Sequence, residues 1–248
     1  MEIIPLKLKV RRSNFDLYRS ITYSGFDFAE NDVLVISSKY CSIGEGSVLA
    51  LDNVKPTSKA GLMHTLYQIN ERLAEIILRE ADFTFKGVPG FLLSVKDGIW
   101  APNAGIDKSN VPHGYVVLYP NRPFETADKL RRQFLVHNGV NIRIVVADSR
   151  LMPGRIGTVG IAIACSGFEP VEDLRGTKDL FGNVLKVSFK AVADSLATMA
   201  VAAMGEGDES TPSIVLRGVG VVPTDKKLSW SDMAIHPELD LYQRGLGH

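Results

Sequence analysis

Short apolar segments alternate with amphipathic ones along most of the chain. Runs rich in β-branched and aromatic residues, bounded by Gly, Pro, Asn or Asp, predict strands. These runs are VLVIS at 33–37, FLLSV at 91–95, YVVLY at 115–119, IRIVVA at 142–147, VGIAIAC at 159–165, VLKVSF at 184–189 and SIVLR at 213–217. Strands mixed with helical patterns indicate a three-layer α/β or an α+β protein rather than a sandwich or a bundle.

The clearest helical pattern covers residues 59–80, where apolar positions recur at spacings of three and four. This spacing predicts one helix with a single buried face. The residues of that face are Leu62, Leu66, Ile69, Leu73 and Ile76. Thr57 and Ser58 can cap the helix, while charged residues such as Glu75 can face solvent. Shorter helices are predicted over 14–24, 124–137 and 191–204.

The composition is that of an ordinary globular protein. The chain has 248 residues, of which 45% are hydrophobic and 23% charged, so we expect one large domain or two modest ones. Its 28 basic and 28 acidic side chains cancel, which argues against nucleic acid or an anionic membrane as a partner.

No apolar stretch is long enough to span a bilayer, and the first residues lack the order of a signal peptide. We therefore predict a cytoplasmic protein.

The segment VLVISSKYCSIGEG at 33–46 begins as an apolar strand and becomes polar at Ser37, Ser38 and Lys39. A strand that runs into a small glycine-bearing loop often cradles a phosphate, because its backbone N–H groups can approach the anion. The segment does not match the Gly-x-x-x-x-Gly-Lys-Ser/Thr pattern. A phosphate cradle and a plain turn therefore both fit these residues.

Three loops next to strand or helix ends each carry one carboxylate among small or apolar residues. They are NAGIDKSN at 103–110 with Asp107, ADS at 147–149 with Asp148, and MGEGD at 204–208 with Glu206. Carboxylate oxygens suit Mg²⁺ or Mn²⁺, which are usually shared with substrate phosphates. Structural interpretations also fit: an Asx turn for Asp107, a helix cap for Asp148, and a helix end for Gly205 and Gly207.

These loops belong to a longer series of motifs between about residues 30 and 220. The series comprises Ser38 with Ser42-x-x-Glu45-Gly46, NAGIDKSN at 103–110, Asp148, Arg155, Gly160-x-Ala162-Ile163, RGTKDLFG at 175–182, MGEG at 204–207 and Arg217-Gly218. In this order it resembles the coenzyme F(420)-0 gamma-glutamyl ligase family. The resemblance implies that family's α+β fold, with a mixed β-sheet and flanking helices, in an intertwined homodimer.

The resemblance implies a GTP-dependent and divalent-metal-dependent ligase that adds L-glutamate to a precursor of the deazaflavin coenzyme F(420). GTP would phosphorylate the terminal carboxylate of the precursor, and the amine of glutamate would then displace phosphate to form a gamma-glutamyl amide. Metal ions would neutralise the triphosphate, and the protein would bring the anions together. No covalent enzyme intermediate is required.

The resemblance also assigns residues by their positions. The catalytic set would be Asp107, Asp148, Glu206 and Arg155. One Mg²⁺ or Mn²⁺ would bind Asp107 and Asp148, and a second would bind Ser149 and Glu206. Nucleotide contacts would come from Ser38, Lys39, Asn110 and the run Met204, Gly205, Glu206, Gly207 and Asp208, which extends to Thr211.

The chain departs from the family pattern around the nucleotide site. Ile43 stands where the family has a lysine, and isoleucine brings no charge to a phosphate. Lys39 is one candidate to supply that charge, and Arg11 and Arg12, in an altered N-terminal segment, are two others. Met152 also replaces a family arginine, although Arg150 is nearby in sequence.

Residues 1–222 are therefore predicted to form the ligase domain, in one or two subdomains. Residues 223–248 form a tail of unknown role, which would either pack on a partner subunit or be a flexible arm. Two alternatives to the F(420) ligase stay open: a related amide ligase with a different nucleotide or acceptor, and a non-catalytic relative that binds a nucleotide or another protein.

Overall fold

The computed structural model describes residues 1–246. This part of the chain contains twelve strands: β1 (Glu2–Leu6), β2 (Val33–Ser37), β3 (Val48–Ala50), β4 (Phe83–Val88), β5 (Phe91–Lys96), β6 (Ile99–Trp100), β7 (Tyr115–Val117), β8 (Arg143–Leu151), β9 (Thr158–Ser166), β10 (Val171–Asp173), β11 (Phe189–Ala191) and β12 (Ser213–Arg217). The same residues contain seven α-helices: α1 (Leu17–Thr22), α2 (Ser38–Glu45), α3 (Ser58–Tyr67), α4 (Glu71–Glu80), α5 (Pro123–Asn138), α6 (Val192–Met204) and α7 (Leu241–Leu246).

A five-stranded mixed sheet forms the centre of the fold, in the order β1-β12-β2-β8-β9. The neighbours β2 and β8 are parallel, whereas the other pairs in this sheet are antiparallel. In the parallel pair Ser37 lies opposite Ala147, so Ser38 and Asp148 come next at the same end of the sheet. The mixed sheet with its helices confirms the predicted α+β fold.

Helices cover both faces of this central sheet. Along β2, Val33 and Val35 belong to the apolar cluster formed with α6, while Leu34 and Ile36 belong to the cluster formed with α1 and α5. Because successive side chains of a strand point to opposite faces, a strand buried on both sides is apolar at every position. The uninterrupted VLVI run follows from this three-layer arrangement.

A third apolar cluster lies within residues 54–116, away from the central sheet. It joins α3 and α4 to β5 and to the NAGIDKSN loop, through side chains that include Leu73, Ile77, Leu92 and Ala104. Two small sheets, β3-β7 and β4-β5-β6, belong to the same part of the chain. This packing anchors the loop that carries Asp107.

The prediction of one continuous helix over 59–80 is wrong. Gln68 adopts the left-handed conformation (φ 54°) after α3, and Asn70 caps the start of α4. The break changes the direction of the buried face. Leu62 and Leu66 are therefore 54% and 56% exposed, although Ile69, Leu73 and Ile76 are buried as predicted.

The prediction that Glu75 faces solvent is also wrong. Its side chain is buried and accepts hydrogen bonds from the backbone N–H (2.9 Å) and Oγ1 (2.7 Å) of Thr57. Arg79 donates to its other oxygen over 2.8 Å. Glu75 thus connects α4 to the start of α3, because a buried carboxylate needs such partners.

Three other segments differ from their predictions. The residues after β2 form helix α2 rather than a loop, and Gly46 (φ 81°) ends that helix in the left-handed conformation that glycine tolerates. The run 184–189 is not a strand, since pairing with β10 starts only at Phe189. The strand predicted at 142–147 continues to Leu151 as β8, so Asp148 is a strand residue and not a helix cap.

The first part of the tail packs on the rest of the chain. Leu228 is buried in the cluster around α6, and the indole of Trp230 lies against Gly98. Lys226 forms an ion pair of 2.8 Å with Glu169. This part is therefore not a flexible arm, while residues 247 and 248, also in the predicted tail, lie outside the described residues. Within residues 1–246, no helix combines the length and apolar character needed to cross a membrane.

Candidate functional site

A cavity of about 370 Å³ opens at the carboxyl end of β2, next to residues 147–149 in the middle of β8. Its wall is formed by Ser37 and Lys39, by residues 147–149, by residues 8–11, by residues 204–212, and by Asp107 and Asn110, among others. The carboxyl ends of parallel strands are the common ligand-binding edge of layered α/β sheets. Segments that are far apart in sequence thus meet at one place.

Asp148 enters this cavity from β8 with both carboxylate oxygens held. Ser38 Oγ donates to Oδ1 over 2.8 Å, and Arg150 Nη1 lies 2.7 Å from Oδ2. The register of β8 with β9 shifts between Val146 and Ala147, immediately before Asp148. Such bulges re-aim the side chains that follow them, here at the edge of the cavity.

Asp107 is paired with a cation from another segment. Lys39 Nζ lies 2.7 Å from its Oδ2, and the N–H of Ser109 donates to Oδ1 over 2.7 Å. The second contact is the predicted Asx turn, so the structural interpretation of Asp107 holds beside the functional one. Burial raises the pKa of Asp107, but Lys39 and the hydrogen bonds from Ser109 outweigh it and hold the pKa below its ordinary value.

Glu206 follows the end of α6, where Gly205 adopts a positive φ of 77°. Its Oε1 accepts hydrogen bonds from Ser149 Oγ (2.7 Å) and Thr158 Oγ1 (3.2 Å). Glu206 therefore contacts Ser149, the residue with which it is predicted to share a metal. These hydrogen bonds connect the end of α6 to the β8–β9 hairpin.

The MGEGD segment is further ordered by two contacts on Gly207. Asn110 Nδ2 donates to its carbonyl oxygen over 3.0 Å, which joins this segment to the NAGIDKSN loop. The N–H of Gly207 donates to Glu209 Oε2 over 2.8 Å. A phosphate that used this N–H would have to displace the carboxylate of Glu209.

The structure brings most of the sequence-predicted site residues to this one cavity. Those in its wall are Lys39, Asp107, Asn110, Asp148, Ser149 and the run from Met204 to Asp208. Ser38 is buried behind Asp148 and reaches it by a hydrogen bond. Arg155 is exposed in the turn of the β8–β9 hairpin and is not part of the cavity wall.

The oxygen donors of the cavity suit a hard divalent cation that is completed by substrate oxygens. Ser149 and Glu206 already contact each other, and Asp107 and Asp148 line the same space. Within residues 1–246, no group of three or more His, Cys, Asp and Glu side chains is assembled as a metal site. Pairs of protein ligands fit Mg²⁺ and Mn²⁺, which commonly keep positions for phosphate and water.

The cavity wall also decides between the candidates for the charge that the missing family lysine would supply. Ile43 lies on α2 and is buried at the cavity wall, so the missing family lysine is not replaced at that position. Arg11 lines the same cavity, with Nε buried and without a hydrogen-bond partner in the described residues. Arg12 is exposed and is not part of the wall. Adjacent arginines cannot be told apart by sequence alone.

Comparison with known proteins agrees with these motifs. A model of the family described as F420-0:Gamma-glutamyl ligase matches residues 12–218. The chain belongs to this family. The match includes every cavity-lining segment except the N-terminal one at residues 8–11, which supplies Arg11.

Relatives in this family cover nearly the whole chain. A protein of Methanopyrus kandleri is 37% identical over 220 residues, which is 88% of this chain and 86% of that protein. Proteins of Methanocaldococcus jannaschii and Archaeoglobus fulgidus are 33% and 34% identical over 222 residues, 89% of each chain. All three are named coenzyme F420:L-glutamate ligase.

Proposed function

We propose that this protein is a cytoplasmic ligase that joins L-glutamate to the terminal carboxylate of a deazaflavin coenzyme F420 precursor, with GTP and Mg²⁺ or Mn²⁺. Family membership supports the ligase chemistry and the names of the relatives support the substrates. The observation that carries the proposal is the convergence of Asp107, Asp148 and Glu206, from three separate segments, on one cavity.

In the proposed reaction, an oxygen of the acceptor carboxylate attacks the γ-phosphorus of GTP, and the bond to GDP breaks. The neutral amine of glutamate then attacks the acyl carbon, phosphate leaves, and the amide nitrogen releases one proton. A bound divalent cation would neutralise phosphate charge. Asp107 and Asp148 would hold one cation, and Ser149 and Glu206 a second, while Lys39 and Arg11 would contact phosphate oxygens.

Incubation with F420-0, GTP, Mn²⁺ and L-glutamate tests this proposal. We expect a glutamyl adduct by mass spectrometry and one GDP per amide formed. The Asp148→Asn variant is the matched control, because it removes the carboxylate charge at nearly constant volume, and it should form little or no adduct. Absence of an adduct with the wild-type protein, with either metal, would contradict the proposal.

A ligase with a different nucleotide or acceptor is the second candidate, and the uncharged Ile43 in the cavity wall favours it. Thermal shifts with GTP and ATP, each with Mg²⁺ or Mn²⁺, separate the two. A larger shift with ATP, together with ATP-dependent adduct formation, would select the second candidate. Nucleotide binding without turnover would instead indicate the non-catalytic relative.

A homodimer is the assembly that we propose for this enzyme. Ile156 in the β8–β9 turn and Leu180 and Phe181 beyond β10 are almost completely exposed in the subunit. Leu180 and Phe181 are adjacent in sequence, and large apolar side chains exposed side by side commonly mark an interface. Sedimentation velocity should show a dimer for the wild type and a shift toward monomer for Phe181→Ser. A wild-type monomer with full ligase activity would contradict this assembly.

A further inference from the structure

Arg150 is buried directly beside one of the cavity carboxylates. It lies two residues after Asp148 on β8, so both side chains point to the same face of the strand. Only 5% of Arg150 is exposed, and its Nη1 lies 2.7 Å from Asp148 Oδ2. Since Ser38 holds the other oxygen, Asp148 has a single orientation in which both oxygens keep their partners.

The guanidinium also packs against the NAGIDKSN loop. A Cβ at Gly105 would lie 3.3 Å from Nη2 and 3.4 Å from Nη1, so the guanidinium fills the space next to this glycine. The ring of Tyr119 lies below, with its centroid 6.0 Å from the Arg150 Cζ. Arg150 is thus wedged between the strand that carries Asp148 and the loop that carries Asp107.

The remaining N–H groups of Arg150 contribute little favourable energy in this position. Nε and Nη2 are buried and have no hydrogen-bond partner within the described residues. Burial of unpaired donors is unfavourable, and an apolar side chain of similar size would avoid that cost. The one strong polar contact of the guanidinium is the ion pair with Asp148, so this contact is the reason to place an arginine here.

We propose that Arg150 is a positioning residue for cation binding. It fixes the carboxylate of Asp148 and, by packing on Gly105, its distance from the loop of Asp107. The inference rests on the proposed function, in which these two aspartates share a divalent cation. Arg150 is not part of the cavity wall, so it acts through Asp148 rather than on a ligand directly.

Binding of Mn²⁺ to the full-length protein, followed by electron paramagnetic resonance, tests this role without ligase turnover. We expect Arg150→Gln to weaken Mn²⁺ binding about tenfold or more, because Asp148 loses its orienting partner. Arg150→Lys should recover part of the affinity. In an Asp148→Asn background, Arg150→Gln should cause no further loss, since the carboxylate that it orients is absent.

Arg143 provides a matched control on the same strand. It is also 5% exposed and has a buried, unpartnered Nε, but it lies at the other end of β8. Arg143→Gln should lower the melting temperature while Mn²⁺ affinity stays that of the wild type. If Arg150→Gln behaves like Arg143→Gln, Arg150 is structural and the inference is wrong. If the wild type binds no Mn²⁺, the metal part of the proposed function fails together with it.

Discussion

Lys39 Nζ lies 2.7 Å from Asp107 Oδ2 and 2.5 Å from Ser109 Oγ. The ion pair joins α2 to the NAGIDKSN loop across the mouth of the cavity. A divalent cation on Asp107 would compete with this ammonium, whereas a phosphate would attract it. Lys39 is therefore placed where metal and nucleotide binding would act on the same side chain.

Substitution of Lys39 by Ala should affect the two ligands in opposite directions. Without nucleotide, we expect Mn²⁺ to bind several-fold more tightly, because Lys39 lies in the cavity wall, unlike Arg150, and its ammonium competes with the cation for Asp107. With Mn²⁺ present, we expect GTP to bind about tenfold more weakly, a loss of about 1.4 kcal/mol. Isothermal titration calorimetry measures both. Lys108→Ala, an exposed neighbour in the same loop, should change neither constant, and equal effects of the two variants would contradict this role.

Replacement of Arg11 by Ala should weaken nucleotide binding about tenfold, because a half-buried guanidinium in the cavity wall would form strong charge-assisted contacts with a bound phosphate. Arg12→Ala should change binding less than twofold, since that side chain is exposed and outside the wall. The dissociation constants of GTP and GDP, measured at two salt concentrations, report the contact. A larger effect at Arg12 would show that the wrong arginine has been assigned.

Ser149 and Thr158 each donate a hydroxyl hydrogen bond to Glu206, and substitutions at these two residues distinguish metal binding from simple hydrogen bonding. Ser149→Ala should weaken Mn²⁺ binding about tenfold if Ser149 is a metal ligand, whereas Thr158→Ala should have a several-fold smaller effect. Both variants remove one hydrogen bond to Glu206 Oε1, so the comparison is matched. Mn²⁺ titration measures the difference. Equal affinities for the two variants would remove Ser149 from the predicted metal ligands.

Glu75 should make the free energy of unfolding depend on pH in the acid range. Hydrogen bonds from Thr57 and Arg79 hold the pKa of Glu75 below its ordinary value, although burial opposes them. Because the folded-state pKa is the lower one, the stabilisation is complete above the unfolded-state pKa and is lost as pH falls through the folded-state pKa. Glu75→Gln should therefore reduce the free energy of unfolding most near neutral pH.

Urea unfolding of the wild type and of Glu75→Gln at several pH values measures this effect. The difference between the two proteins should shrink as the solution is acidified. Thr57→Val removes the hydrogen bond from Oγ1 and should be less than additive with Glu75→Gln. A difference that stays constant with pH would show that Glu75 stabilises the fold by packing alone.

Gly160 should not tolerate even a methyl group. A Cβ there would lie 2.5 Å from the carbonyl oxygen of Ala197 and 2.7 Å from the Val201 Cβ, so β9 and α6 would have to separate. We expect Gly160→Ala to cost about 1–3 kcal/mol of unfolding free energy. Gly220→Ala is the control and should be nearly neutral, because within residues 1–246 no atom beyond its chain neighbours lies within 4 Å of an added Cβ. Chemical denaturation compares them, and equal stabilities would contradict the close packing.

Hydrophobic patterning located strands and helices well where an element is buried along its whole length. The strands β2, β5 and β12 and the helices α5 and α6 lie close to the predicted ranges. β2 and β12 are continuous apolar runs because both faces are buried, whereas β5, α5 and α6 bury one face with the period of the element. The pattern failed at Gln68, where one left-handed residue splits a continuous helical periodicity. It also missed α2, whose polar start after β2 suggested a loop.

By itself, the sequence determined the family and the candidate polar residues, since the order of NAGIDKSN, RGTKDLFG and MGEG is a property of the chain alone. The tertiary structure decided which of those residues meet. The parallel register of β2 and β8 brings Ser38 to Asp148, the N-terminal segment turns Arg11 but not Arg12 into the cavity, and β8 buries Arg150 beneath Asp148. These relationships depend on strand register and packing between segments distant in sequence, which no local pattern encodes.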